Sequence, residues 1–190
     1  REFFKRHNCW LLPSYHYVPG NGMNYYMSQL SDAVISLGDS YLLQQIIDEG
    51  ETTDKVKVLP AFFFDVCTPD RKKDFSRCRN NILWFGSSGM MHKGLDIAID
   101  FAIEHPQFTL HICGGSRQEK DFWKLYMPKI KAAGNIIMHG FVDIRSKEFA
   151  TVLAECGILL NPSLSESGAV SVLNVLGNGA LLPVYSKGTG

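Results

Sequence analysis

Residues 81–103 read NILWFGSSGMMHKGLDIAIDFAI, and this stretch decides the fold. Ile82 to Phe85 is a short apolar run that stops at Gly86-Ser87-Ser88-Gly89, the pattern of a buried strand entering a loop. From Leu95 the apolar spacing becomes helical. Leu95, Ala98, Ile99, Ala102 and Ile103 share one face, while Asp96 and Asp100 lie on another. Strand, glycine-rich loop and helix follow in immediate succession.

The same unit recurs downstream. Phe108 to Cys113 reads as a second strand, stopped by Gly114-Gly115. Ser116 with Glu119 three residues later fits a capping box opening the next helix, which Pro128 is expected to kink or divide. Ile136 to Met138 forms a third strand, and Phe149, Val152, Leu153 and Cys156 mark a helix with a narrow buried stripe. Gly157 to Leu160 is a fourth strand broken by Asn161-Pro162-Ser163. Val170 to Leu176 is a helix and Leu181 to Tyr185 a fifth strand. These strands are apolar throughout instead of alternating, as in a parallel sheet covered on both faces. The expected fold class is α/β, a Rossmann-like parallel sheet with helices on both faces, binding ligands beyond the carboxyl ends of its strands.

Upstream the texture differs. The polar run CTPDRKKDFSRCRNN, residues 67–81, separates two kinds of sequence. Residues 1–65 are expected to be the last part of a preceding α/β domain together with the connector to the next. Within them, strands are expected near 31–37 and 56–59 and a helix over Tyr41 to Ile47. Residues 66–80 are expected to be a linker or loop, and 81–190 a second α/β domain.

Bulk composition narrows the function. The 190 residues carry 19 basic and 19 acidic side chains, so no basic excess favours nucleic acid. Five cysteines, an odd number with no CxxC pair, indicate neither a disulfide scaffold nor a zinc ribbon; Cys113 and Cys156 read as small core residues. No run approaches the length of a membrane span. A reducing cytoplasm is the expected compartment, with placement of the full-length protein at the inner face of a membrane left open.

The candidate chemistry lies where strands end. Gly86, Ser87, Ser88 and Gly89, followed by His92, Lys93 and Gly94 before a helix, supply exposable N–H groups and one mobile positive charge, a cradle for a diphosphate. Neither GK[ST] nor GxGxxG is present, so P-loop and dinucleotide fingerprints are excluded. Glu166, in NPSLSESGAV, stands between a strand and a helix, where a carboxylate can accept hydrogen bonds from sugar hydroxyls; its flanking Ser165, Ser167 and Gly168 belong to the same expected site. Asn174 falls two helical turns later. His92 and His139 sit in ligand-side loops, whereas His111 fits core. No set of metal ligands is complete, and no metal is expected.

Taken in order, WFGSSGMMHKGLDIAIDFA, LHICGG, MHGFVD and NPSLSESGAVSVLNVLGNGALLPV resemble the carboxyl-terminal donor-binding domain of the retaining GT-B glycosyltransferases. This is the large group (glycosyl transferases group 1, family 4-like) that includes sucrose synthases and bacterial mannosyltransferases. The resemblance covers about residues 81–190, and implies that they are a carboxyl-terminal nucleotide-sugar-binding domain truncated at its end, within a fragment of a two-domain enzyme. That enzyme would transfer a hexosyl group from a UDP- or GDP-sugar to an acceptor hydroxyl with retention, in glycan or polysaccharide biosynthesis. It implies no cofactor beyond the sugar nucleotide itself. Lys93 takes the family's diphosphate-holding lysine, and Glu166 the first glutamate of its E-x7-E motif, at the transferred sugar. Gly140, Phe141 and Val142 would border the nucleobase, and Gly114 and Gly115 the central crevice.

Two positions depart from the pattern. Ser87 stands where the family has arginine, which a serine cannot replace as a charged bidentate donor. Asn174 stands where a second glutamate receives the ribose hydroxyls. The reading adopted is an active, divergent branch, because the lysine, first glutamate and glycine framework survive together. A weakened sugar-nucleotide-binding module and a sugar-nucleotide epimerase of related fold are the alternatives. The glycan or lipid-linked acceptor would contact mainly the other domain, so these residues alone are expected to be inactive.

Overall fold

The computed structural model describes residues 9–11, 33–37, 56–59, 63–66, 73–115, 117–164, 166 and 169–186. Two compact units make up the chain: Arg1–Ala61 with Glu166–Ala169 and Gly190, and Phe62–Ser165 with Val170–Thr189.

In the first unit, β1 (Cys9–Leu11), β2 (Ala33–Leu37) and β3 (Val56–Leu59) form a parallel sheet in that order. Cys9 pairs with Ala33 and Val34 with Val56. The expected strands near 31–37 and 56–59 are present. β1 was not anticipated: it is a three-residue strand within a run of only four apolar residues between Asn8 and Pro13. The helix expected over Tyr41 to Ile47 lies outside the described residues.

The second unit holds the five strands expected from sequence: β4 (Asn81–Gly86), β5 (Thr109–Gly114), β6 (Ile136–Gly140), β7 (Ile158–Asn161) and β8 (Leu182–Tyr185). All pair in parallel, in the order β6-β5-β4-β7-β8. The helices are α1 (Phe75–Cys78), α2 (Leu95–Glu104), α3 (Lys120–Ala133), α4 (Lys147–Glu155) and α5 (Val170–Gly179). Strand alternation assigns the core. Ile82, Trp84, Leu110 and Ile112 meet Leu95, Ala98, Ile99 and Ala102 of α2 and Phe122, Tyr126 and Ile130 of α3 in one apolar layer. Each such large side chain stabilises by about 1.5–3 kcal/mol on burial. Phe85 packs on Phe149 of α4, ring centres 5.5 Å apart, on the opposite face.

Some helix ends follow local rules and others do not. Ser146 caps α4 by accepting the Phe149 N–H at 3.1 Å, and α3 ends at Gly134 with φ +72°. Pro128 does not divide α3, which runs unbroken through it. Pro128 is exposed, so water can reach the carbonyl that its missing N–H leaves unpaired. The expected capping box is not formed by Glu119: it is the N-cap residue of α3, yet its side chain makes no cap bond there.

Part of the expected linker is built into the second unit. Lys73 donates to the carbonyls of Leu153 and Cys156, each at 2.5 Å, and so closes the carboxyl end of α4. Upstream of it, Phe63–Val66 lies along α5. Phe64 N–H donates to Asn174 Oδ1 at 2.8 Å and Val66 N–H to Asn178 Oδ1 at 3.0 Å, while Asn178 Nδ2 donates back to Phe64 O at 2.7 Å. Asn174 and Asn178 are four residues apart on one helical face, so their amides imitate the edge of a strand. Gly177 leaves the room: a Cβ there would fall 2.3 Å from Phe63 Cδ2.

Candidate functional site

Strand order reverses at β4, whose neighbours are β5 and β7. In an open parallel sheet the crevice outside the strand ends at such a point is where ligands bind. The loops concerned are residues 87–94 after β4 and 162–164 after β7. They touch: Leu164 N–H donates to His92 O at 2.9 Å, and a Cβ on Gly94 would lie 2.4 Å from Pro162 O.

Lys93 is fixed at this point from several sides. Its N–H donates to Gly89 O at 2.7 Å, and its carbonyl accepts from the buried Trp84 Nε1 at 3.1 Å. Its stem crosses the end of β4, since a Cβ at Gly86 would stand 3.3 Å from Lys93 Cδ. The residue is only 7% exposed. At the neighbouring strand end, Gly114 (φ +94°) approaches so closely that a Cβ would sit 1.6 Å from Gly86 O. Gly115 N–H donates to that same oxygen at 3.1 Å. The structure thus brings Gly86, Lys93, Gly94, Gly114 and Gly115 together.

The N–H groups of the β4–α2 loop are less open than the sequence suggests. Gly89 N–H donates to Glu119 Oε1 at 2.6 Å and Met90 N–H to Glu119 Oε2 at 2.9 Å. The spacing from Ser116 predicts a capping box for Glu119, a local signal, whereas its actual partners lie 30 and 29 residues earlier. Ser87 and Ser88 are exposed and His92 half-buried.

At the end of β6, the pairing with β5 shifts: Ile112 faces Met138 but Cys113 faces Gly140, leaving His139 as the extra residue. His139 Nε2 meets His111 Nδ1 at 3.1 Å with the rings stacked, and its Nδ1 lies 3.9 Å from Glu148 Oε1. His111 Nε2 is buried without a hydrogen-bond partner among the described residues. Burial, then the neighbouring His139, lower the His111 pKa, against an opposing pull from Glu155. His139 is followed by Gly140 (φ +75°), by Phe141, which is 86% exposed, and by the buried Val142. His139 is therefore tied to the strand pair and not displayed by itself in a loop.

Asn174 is engaged by its own chain: besides accepting from Phe64, its Nδ2 donates to Val170 O at 2.8 Å. The ribose-binding role expected for it has a competitor in the connector. Glu166 belongs to the first unit and is buried, and Ala169 beside α5 takes φ +36°, a costly conformation for alanine. Ser165, Ser167 and Gly168 lie outside the described residues. Cys113 and Cys156 are fully buried, and burial pushes the Cys113 thiol up to about 12 and that of Cys156 higher, so both are inert thiols. An open groove of about 680 Å³ lies between Met91 and the first turns of α3, from Gln118 to Tyr126. It is lined by none of the expected site residues. Among the described residues no helix is long and apolar enough to cross a membrane.

No protein-family model and no curated protein matches the chain. Solved structures do. HepE of Anabaena, solved with UDP and glucose, matches with a TM-score of 0.71 at 17% identity, over 96% of this chain and 53% of that one. TarM of S. aureus matches at 0.64 and 14% identity, over 93% of this chain and 36% of its own. The pneumococcal O-GlcNAc transferase GtfA, solved with UDP and GlcNAc, matches at 0.59 and 15% identity, over 94% and 37%. The chain spans about half the length of HepE and less of the other two. At such identities the likeness is one of backbone architecture, and it agrees with the strand order and with the series of glycine-ended strands. This chain has the fold of the GT-B glycosyltransferases.

Proposed function

We propose that this chain is the donor-binding part of a glycosyltransferase, holding a nucleoside-diphosphate sugar at the ends of β4 and β5. The observation that carries the reading is Lys93, nearly buried at the reversal point of the sheet, with its backbone pinned and its stem laid over Gly86. A lysine held at the strand ends presents a cation where a diphosphate would lie, and a diphosphate gains negative charge as its bond to the sugar breaks. A cation fixed beforehand in a poorly solvated site stabilises that growing charge most.

In this reading Gly114 and Gly115 let the ligand approach the backbone, and Phe141 offers an exposed ring face to the nucleobase beside Gly140 and Val142. Glu166 orients the donor sugar. Transfer of a hexosyl unit with retention, to a glycan or lipid-linked hydroxyl in glycan biosynthesis, belongs to the same proposal and rests on the sequence resemblance. HepE and GtfA were solved with UDP, which makes UDP the first nucleotide to test and GDP the comparison. Residues 1–61 belong to the partner domain in this scheme, with 63–66 as the connector along α5, and the acceptor lies against that partner domain. The full-length protein works in the cytoplasm.

A second reading, a binding module with a weakened site, is favoured by two particulars. Ser87 replaces a charged donor, and Asn174 is occupied by the connector. Calorimetric titration with UDP, GDP and ADP separates the readings. One diphosphate should bind, about ten- to a hundredfold more weakly to Lys93→Ala, as loss of a charged hydrogen bond requires. Absence of binding to a demonstrably folded chain would sink the donor reading. Binding together with a full-length parent that transfers no sugar would leave the module.

A further inference from the structure

We propose that Glu119 is a positioning residue for the donor site: its carboxylate, spanning the N–H groups of Gly89 and Met90, sets the β4–α2 loop so that Lys93 is delivered to the strand ends. This rests on the donor reading of Lys93.

The two bonds are short, 2.6 Å to Gly89 N and 2.9 Å to Met90 N, one to each carboxylate oxygen. Consecutive N–H groups converge in this way when one residue is left-handed, and Gly89 has φ +76°. A single carboxylate then satisfies both as a charge-assisted acceptor. The carbonyls of the same residues are also committed: Gly89 O accepts from Lys93 N–H at 2.7 Å and Met90 O from Leu95 N–H at 2.9 Å. Each of these residues is therefore held through its N–H by α3 and through its carbonyl by the start of α2. Turning the loop to release Glu119 would break the bonds that set Lys93 and open α2. Glu119 makes no cap bond to its own helix, so its side chain is given wholly to the loop.

The arrangement has a chemical consequence. The Gly89 and Met90 N–H groups are occupied by an internal anion, which leaves the donor phosphates to Lys93. A glutamine at position 119 keeps one acceptor but sets an NH2 donor against one of the two N–H donors. An aspartate keeps the charge and is too short to span both.

Amide hydrogen exchange and nucleotide titration, both followed by NMR on the 190-residue chain, test this with Glu119→Gln and Glu119→Asp. Exchange at Gly89, Met90 and Lys93 should speed up about tenfold or more in both variants, with core amides of β5 unchanged. UDP should bind about tenfold more weakly, whereas uridine, which has no phosphate, should bind within about twofold of the parent chain. If Glu119→Gln fails to fold, Glu119→Asp decides. Unchanged exchange in the loop overturns the proposal, as does tighter UDP binding, which would make Glu119 a competitor of the phosphate. Equal loss of UDP and uridine overturns it too, since that is general damage. A protected loop in a parent chain that binds no UDP would instead defeat the donor reading, while the exchange rates still judge the grip of Glu119 on the loop.

Discussion

On one face of the five-stranded sheet, Ile82, Trp84, Leu110 and Ile112 meet α2 and α3 in an almost wholly apolar layer. On the other, alternate residues of the same strands include His111 and Cys113, and the helices α4 and α5 bring Asn174, Asn178 and a lysine-closed carboxyl end. The first face is held by non-directional burial, which tolerates small shifts and depends on volume. The second is held partly by hydrogen bonds with fixed partners, each modest in net worth and costly when one partner is removed. The apolar face makes the sheet fold; the polar face decides what docks on it.

That contrast sets the order of expected effects. Leu110→Ala, at a fully buried position of the apolar face, should cost about 2–5 kcal/mol, because the surrounding layer cannot close over the lost volume. Urea unfolding measures it, and a loss below about 1 kcal/mol would mean that this layer is loosely packed. Asn178→Ala, on the other face, should cost about 1–3 kcal/mol, by leaving Phe64 O and Val66 N–H without their partner. Its signature is local: proteolysis should begin near Phe64 while β4 and β5 stay protected. Uniform loss of protection would show that the connector is no separate docking segment.

Lys73→Met keeps the apolar stem and removes the charge that closes α4. The expected cost is about 1 kcal/mol, confined in hydrogen exchange to the last turn of that helix. Burial already lowers the Lys73 pKa, so part of the attraction is spent on desolvation, which keeps the effect small. A cost equal to that of Leu110→Ala would erase the distinction between the faces.

The two faces were unequally legible in the sequence. Strands β4 to β8 could be placed within a residue or two because their apolar runs stop at glycine or Asn-Pro, and α2 because its stripe has helical period. Lys93 and the glycines could be nominated because strand ends in a parallel sheet face one crevice. Directional partners were not legible. Asn174 and Asn178 bond to residues more than 100 positions earlier, and no periodicity encodes such a pairing. Glu119 was misassigned because a local rule offered it a nearer partner. The bulge that makes His139 meet His111 depends on a register shift in β6, which nothing in residues 136–140 announces. β1 was missed because a run of four apolar residues ending at Pro13 cannot be told from a loop.

The smallest expected effect is silent at neutral pH and concerns the histidine pair. His111 is buried, and its pKa is lowered by that burial first and by His139 second; Glu155 pulls the other way, Glu148 lies by His139, and the Cys113 thiol stays neutral. In the tautomer where His111 Nδ1 donates to His139 Nε2, the Nε2 of His111 is a bare lone pair, and protonating it buries an N–H with no acceptor among the described residues. The sign follows from linkage. The unfolded chain takes up the proton near the ordinary histidine value, the folded chain only at lower pH, so stability is intact above about 6.5 and is lost as pH falls toward the lowered folded value. One proton limits the slope to about 1.4 kcal/mol per pH unit. In His111→Leu that component disappears: urea midpoints at pH 7.5 and 5.5 should lie closer together than in the parent chain. Parallel pH profiles would mean that the imidazole is hydrated in solution, and that the polar face of the sheet is more open to water than its packing indicates.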